Sequence, residues 1–410
     1  KNIGFCPLDN KPSGSVKNPV HALTGNKFQT EADYRDLNLG RLSFTRWYNS
    51  QASTNSVLGA NWISSFHRGM TIDKWLRFVR VTRPGGRVYT YTRPATTWVA
   101  DADVFESLEK ISGGWRYMTS GNVEERYNDS GQLTELNYPN GVNVSLFYNA
   151  ANELDYVQDT QGRRLGFSYV NGQLNTVSSP DGRVWTYRYD ASNNLEFVEQ
   201  PDNSDRQYHY DDVNFPNALT GITDERNIRY AIWDYDSRGR AILSTHADDI
   251  DRGDLTYNAN STTVTNGRGA STTYDFIEQY DQMLITNISG PGCSSCGSGD
   301  SSYQYDPVNN NLVAKTVKGI RTEYPNYDAN GNVLTKIIAA GTTEARTLSY
   351  TYDPRYNRKI ASKTEPSVCV DNLKTTTYRY DNFANTAEVT IDGFTPGCVP
   401  VSRSTRFQYA

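Results

Sequence analysis

A tyrosine returns at a nearly fixed interval through the middle of this 410-residue chain. Tyr127, Tyr148, Tyr169, Tyr189, Tyr210 and Tyr235 stand 21, 21, 20, 21 and 25 residues apart. A second series of turn signals runs half a period out of phase: Pro139-Asn140-Gly141, Thr160-Gln161-Gly162, Pro180-Asp181-Gly182 and Pro201-Asp202-Asn203. Such a period constrains the fold more than any local propensity, because each unit must bury its apolar face against its neighbours. Two short alternating segments and two turns per unit describe a β-hairpin stacked on the next hairpin. Asn-Gly and Asp-Gly suit these turns because both tolerate positive φ.

The signature at one end of each unit is Tyr-x-Tyr-Asp. It occurs as Tyr187-Arg188-Tyr189-Asp190, Tyr208-His209-Tyr210-Asp211, Tyr303-Gln304-Tyr305-Asp306, Tyr350-Thr351-Tyr352-Asp353 and Tyr378-Arg379-Tyr380-Asp381, with variants Trp233-Asp234-Tyr235-Asp236 and Phe167-Ser168-Tyr169. Aromatics two residues apart leave one face of a strand, so stacked units predict an aromatic ladder buried on one side. The Asp that ends the strand can accept backbone N–H groups of the turn. A catalytic or metal-binding reading of these acids competes with that one, and their regular recurrence favours turn formation. The structural repeat set is thus Tyr127, Tyr148, Tyr169, Tyr189, Asp190, Tyr210, Asp211, Tyr235, Asp236, Gly239, Tyr305, Asp306, Tyr327, Asp328, Gly331, Tyr352, Asp353, Tyr380 and Asp381.

Tyr235-Asp236-Ser237-Arg238-Gly239-Arg240 and Tyr327-Asp328-Ala329-Asn330-Gly331-Asn332-Val333 resemble the repeat motif of the Rhs/YD-repeat family, bacterial surface and toxin proteins related to the teneurins. The segments Asn18-Pro19-Val20-His21-Ala22-Leu23-Thr24-Gly25-Asn26-Lys27, Leu42-Ser43-Phe44-Thr45-Arg46-Trp47-Tyr48-Asn49-Ser50 and Leu58-Gly59-Ala60-Asn61-Trp62 resemble the region that precedes the repeats in that family. The resemblance covers nearly the whole chain from about Asn18. It implies an all-β, spiralling array of antiparallel hairpins forming an open or partly closed shell. It also implies a secreted or cell-surface bacterial protein whose long relatives enclose a toxin. Family members that process themselves carry an Asp-Pro-x-Gly-Leu segment; Asp306-Pro307-Val308-Asn309 and Asp353-Pro354-Arg355-Tyr356 do not match it.

The expected organisation is an extended lead-in over 1–17, an N-terminal β region over 18–118, and repeats over 119–288. A Gly/Ser/Cys loop over 289–302 and continued repeats over 303–410 follow. In the N-terminal region Trp62, Phe66 and Trp75 are expected to anchor on the first repeats, and 102–110 reads as either a helical turn or a strand. Arg406-Phe407-Gln408-Tyr409 reads as the middle of a strand, which suggests a boundary within a larger polypeptide. The start at Lys1, without Met or an apolar leader, fits a mature secreted protein.

Composition agrees with β structure: 29 tyrosines against 3 methionines, and no long apolar helical periodicity. A net charge of -5 with no basic block excludes a phosphate-tracking surface, so no nucleic-acid partner is expected. No run approaches the length of an apolar membrane-spanning helix.

The five cysteines are Cys6, Cys293, Cys296, Cys369 and Cys398, an odd number. Cys369 and Cys398 flank a strand–turn–strand segment that a disulfide could close. Cys293-Ser294-Ser295-Cys296 reads as a local disulfide, half a zinc site or a redox pair; the four histidines show no paired spacing to complete a metal site. Asp248-Asp249-Ile250-Asp251-Arg252-Gly253-Asp254 departs from a calcium loop, lacking its terminal Glu. No nucleophile elbow, zinc-protease or Walker motif is present, so neither catalytic residues nor a cofactor are expected.

Three readings compete. The first is a non-enzymatic scaffold linked to toxin delivery or contact-dependent competition, its partners being the remainder of a larger Rhs polypeptide, a cargo toxin or another copy at the C-terminal edge. The second is a surface adhesion or glycan-binding module using aromatic ladders. The third is a hydrolase with paired carboxylates. Exposed aromatics in a groove would favour the second reading, and a ladder buried between strands would favour the first.

Overall fold

The computed structural model describes residues 11–36, 41–291 and 300–409. Its dominant element is one 27-stranded sheet, from Ser107–Ile111 to Pro400–Arg406, in which every strand pairs antiparallel with its neighbours in sequence. The hairpin ribbon therefore has no crossovers. It begins at Ser107 rather than at residue 119, and 102–110 resolves into the strand Ser107–Ile111. Across the Gly/Ser/Cys segment the ribbon continues, because the strand Gln282–Ser289 pairs with Ser301–Tyr305. Cys293 and Cys296, like Cys6, lie outside the described residues.

The ribbon curves for a local reason. Immediately before the repeat tyrosine the register slips, between Arg126 and Tyr127, Phe147 and Tyr148, Ser168 and Tyr169, Arg188 and Tyr189, and Asp234 and Tyr235. The same slip precedes Tyr305, Tyr352 and Tyr380. A β-bulge bends its strand and raises the twist, and bulges at one position per unit bend the sheet in one direction. The result comes round far enough for its rims to meet. The Asn357 N–H donates to Asn122 Oδ1 at 3.0 Å, across 235 residues of sequence. The Phe383 ring sits against Gly141, where an added Cβ would lie 2.8 Å from it.

Beside a two-stranded hairpin of Asn55–Ser56 and Gly59–Ala60, two larger sheets form the N-terminal region. One has five strands, Ser15–Val16, Val20–His21, Asn26–Tyr34, Phe44–Asn49 and Trp62–Ser64; the other pairs Met70–Ile72, Phe78–Thr82 and Val88–Thr92. These sheets lie against the inner face of the ribbon. A single buried cluster runs from Val16 through Phe44, Trp62 and Tyr91 to Leu133, Val157, Val198, Trp233 and Ile285. Trp62 and Phe66 are in that cluster, whereas Trp75 stays 69% exposed on a hairpin tip beside Lys74 and anchors nothing. The N-terminal region is a cover for the first half of the wall.

Candidate functional site

The two aromatics of each signature have different surroundings. Tyr187, Tyr208 and Trp233 are buried in the core, while Tyr189, Tyr210 and Tyr235 pack at its edge. The second tyrosine pairs across its hairpin with a residue whose carbonyl accepts the hydroxyl of the next unit's tyrosine. Tyr127 pairs with Leu133, and Tyr148 donates to the Leu133 carbonyl at 2.7 Å. Tyr148 pairs with Leu154, to which Tyr169 donates at 2.9 Å. The relay continues through Tyr189 to Leu174, Tyr210 to Leu195, Tyr235 to Leu219 and Tyr257 to Ala241. In the later repeats Tyr305 donates to Ile285, Tyr327 to Leu312, Tyr352 to Val333 and Tyr380 to Ile360. A bulge leaves a carbonyl without a ladder partner, and the phenol supplies the donor. Burial raises the pKa of these phenols, as at Tyr189 and Tyr305, so they remain donors. The fixed spacing carried this signal, but the direction of the bond was not legible in it.

The acid after the tyrosine caps the turn. In Asp190, Asp236, Asp328 and Asp381 one carboxylate oxygen accepts the backbone N–H groups two and four residues on. Asp353 and Asp306 accept the N–H two residues on, and Asp353 takes the Arg355 guanidinium besides. Asp211 has no such turn. An insertion follows it, and its carboxylate instead meets Arg229 at 2.8 Å and the Thr220 hydroxyl at 3.1 Å. Gly239 and Gly331 have φ of +72° and +74° at the turn's fourth position, the conformation that favours glycine. Cys369 and Cys398 are bonded, with Cα atoms 5.3 Å apart, and join the tips of two neighbouring hairpins.

Between cover and wall runs a polar seam within the apolar core. Arg46 is fully buried and donates to both oxygens of Asp33, at 2.6 and 2.8 Å. Asp33 also accepts the Tyr187 hydroxyl at 2.7 Å, and Arg46 reaches Tyr208 at 3.1 Å. Trp62 Nε1 donates to the Tyr210 hydroxyl at 2.9 Å, using the lone pair that the relay leaves free. His67 does the same for Tyr169 at 2.8 Å, while its Nδ1 faces Ser64 at 2.7 Å. Burial holds His67 at a pKa of about 3, and a neutral ring protonated on Nε2 satisfies both contacts. Lys27 has its ammonium 3.9 Å from the Trp233 ring and on two carbonyls, and burial drives its pKa well down against the opposing pull of Glu31. At the start of the wall Glu125 meets Arg83 at 2.6 Å and Arg68 at 3.1 Å. Burial alone would raise that carboxyl; the two guanidiniums outweigh it and hold it at about 2.

The seam extends to both rims. Arg163 grips Asp36 with two bonds of 2.9 and 3.0 Å, and Arg206 meets Glu31 at 2.7 Å. Backbone groups of the cover pair with wall turns: Met70 N–H to Gly131, Ala60 N–H to Asn193, and Leu174 N–H to the Val57 carbonyl. Lys27 and Arg46 lie in the family-like segments, but the sequence assigned no role to either, nor to Asp33 or Glu125, because single charged residues in alternating strands carry no periodic signal. Among the described residues, no group of three or more His, Cys, Asp or Glu side chains is placed to hold a metal, and no helix is long and apolar enough to cross a membrane.

Residues 169–200, which contain two links of the tyrosine relay and one Asp-capped turn, match the family model described as RHS Repeat. The chain carries RHS repeats. Residues 17–91, the cover, match a second model described as a domain of unknown function, DUF6531. Among solved structures, the chain is similar to that of TcdB2-TccC3-Cdc42, at 11% identity, TM-score 0.40, covering 99% of this chain and 22% of that one. It is also similar to TcdB2-TccC3, at 10% identity, TM-score 0.39, covering 94% and 21%. A third is the Photorhabdus luminescens Tc holotoxin pore, at 10% identity, TM-score 0.27, covering 93% and 23%. This chain spans about a fifth of the length of those structures. No curated protein matches it. The wall of YD repeats is all-β, antiparallel and not closed.

Proposed function

We propose that the chain is a non-enzymatic scaffold segment of a secreted bacterial Rhs/YD-repeat protein, in which the wall encloses a polypeptide cargo. The repeat tyrosines and acids fasten the wall, and none is catalytic. Residues up to about 92 act as the cover, and the sheet from Ser107 onward acts as the wall. The observation that carries this reading is the use of the ladder aromatics. In the covered repeats their rings pack on the core and their hydroxyls are bonded to carbonyls of the preceding hairpin, so they are spent on the wall itself; Tyr327 and Tyr352 of the later repeats keep that bond while lining a cavity. Exposed aromatics elsewhere are scattered, and the outer-face pair Phe147 and Tyr156 stacks on itself at 4.5 Å beneath Arg164. That arrangement supports a wall over a glycan platform.

The test is to purify the protein from its native secretion and to determine intact masses with and without reductant. A co-purifying polypeptide that resists protease until the wall is unfolded is the expected result. A lone chain that holds nothing and binds immobilised glycans would overturn the scaffold reading in favour of adhesion.

A further inference from the structure

One core position changes character along the wall. It lies three residues beyond the partner of each repeat tyrosine, facing inward. In the covered repeats it is Leu136, Val157, Val177 and Val198, each almost completely buried. In three later repeats, past the N-terminal sheets but still reached by Lys11 and Phe105, the same position is Lys315, Lys336 and Lys363, and in the last one, opposite Tyr378, it is Val389. The residues opposite are tyrosines: Tyr303 pairs with Lys315 and Tyr350 with Lys363. The inner face thus passes from aliphatic to alternating tyrosine and lysine.

At Lys336 this face forms a cavity of about 320 Å³, lined also by Tyr324, Tyr327, Tyr350, Arg358 and Asp103. Tyr324 is 1% exposed, and its hydroxyl has no hydrogen-bond partner among the described residues. A buried donor without an acceptor costs free energy, and a bound acceptor would recover it. Lys363 is neutralised by Glu365 at 2.9 Å. Lys315 and Lys336 have no ion pair among the described residues. Burial, and then the neighbouring Lys315 and Lys363, lower the pKa of Lys336, so an incoming negative charge there relieves repulsion. Asp103, whose side chain takes the Asn310 amide at 3.4 Å, is the acid on the cavity wall.

We propose that this cavity is a carboxylate-binding site, in which the Lys336 ammonium and the Tyr324 hydroxyl take the oxygens of an Asp or Glu side chain on a polypeptide laid along the inner face. The inference rests on the scaffold reading and names the chemistry of what the wall holds. The lysine row argues for a polypeptide over a free acid. Lys315 and Lys336 lie two strands apart, roughly 10 Å, which a chain in the polyproline-II conformation covers in one turn of three residues with both side chains on one face. An acid at every third position would meet both.

The test uses the intact chain and a labelled peptide of repeated Glu-Ala-Ala, with Lys-Ala-Ala and free glutarate as comparisons, read by fluorescence anisotropy. The acidic peptide is expected to bind, and the basic one not to. Lys336→Met should weaken binding roughly tenfold, the worth of one charge-assisted bond. Tyr324→Phe should weaken it several-fold. Melting temperature should not fall in Lys336→Met, because the earlier repeats hold aliphatic residues at this position. An unchanged affinity in Lys336→Met, or no acidic-peptide binding at millimolar concentration, would overturn the site. Glutarate binding as tightly as the peptide would overturn the polypeptide assignment. Co-purification of a cargo alongside either failure would leave the scaffold reading standing and remove only this site.

Discussion

Single residues in this molecule matter through what they leave behind when removed. Tyr189 donates to the Leu174 carbonyl and also lies 3.1 Å from the Val57 carbonyl of the cover. Tyr189→Phe keeps the ring and strands those oxygens, at a cost of about 1–2 kcal/mol in unfolding free energy, read from the shift of the urea midpoint. Arg46 is a harsher case. Arg46→Met leaves Asp33 charged and buried, and the expected loss is about 3–5 kcal/mol, whereas the double variant Arg46→Met with Asp33→Leu should recover most of it. A double-mutant cycle by chemical denaturation checks both expectations. Two histidines set a pH response. Burial holds His21 at about 4 and His67 at about 3, below the usual histidine value near 6.5. The unfolded chain binds protons on both as pH drops below that value while the folded chain does not. Their contribution is therefore complete above about 6.5 and is lost as pH falls through 4 toward 3. The groups facing His67 are Ser64, Tyr169, Phe44 and Phe167, none of them acidic. His67→Gln should flatten the slope of unfolding midpoint against pH between 7 and 4.

At the scale of the hairpin, the turn acids are not equivalent despite one signature. Asp236 accepts two backbone N–H groups and the Arg240 guanidinium. Asp236→Ala should therefore destabilise by about 1–2 kcal/mol. Asp211 holds an exposed ion pair beside an insertion, and Asp211→Ala should cost under about 1 kcal/mol. Comparing the two variants by thermal melts separates turn capping from mere recurrence of the dipeptide. The disulfide acts on the same scale. Cys369 and Cys398 are 29 residues apart and tie two hairpin tips. Losing that link should release about 3.6 kcal/mol of chain-entropy restraint, and the effect should stay local. In a repeat array each unit contacts only its neighbours. Cys398→Ser should therefore speed amide exchange in the strands from Leu373 to Arg406 and leave the covered strands unchanged. The tyrosine spacing, the turn residues and the alternation made the hairpins legible. The bulge ahead of each tyrosine was not, because it adds no residue type of its own and is defined only by the partner strand.

At the scale of the whole molecule, curvature and cover belong together. Bulges in one sense bend the ribbon, and bending brings the turn at Asn122 to Asn357 and Gly141 to Phe383. The cover fills the concave side of the first half with Phe44, Tyr48, Trp62 and Phe66. A chain without residues 1–105 would expose Leu133, Val157, Val198 and Trp233 together, a large apolar face of the kind that drives aggregation. Such a truncation is expected to elute as aggregate in size-exclusion chromatography, and to return to solution when the cover is supplied as a separate chain. Around Lys315, Lys336 and Lys363 the inner face is less apolar, and there the N-terminal region contributes only side chains such as Lys11, Asp103 and Phe105 rather than a packed sheet.

The sequence by itself determined the repeat unit, the antiparallel ribbon, the all-β class and the family, because each rests on contacts between residues close in the chain. Tyr-Asp pairs and Asn-Gly turns encode a hairpin within about 21 residues, and that is a local property. Only the tertiary structure decided where a phenol donates, that Asp211 serves an insertion, that Trp75 is solvent-facing, and that Arg46 crosses from cover to wall. It also decided which inward positions are roofed and which are open. The phenol's acceptor and the fate of Asp211 depend on which strand lies alongside. The cover-to-wall contacts join surfaces more than a hundred residues apart in sequence, brought together by the accumulated bend of the sheet, and an accumulated bend leaves no mark on any single repeat.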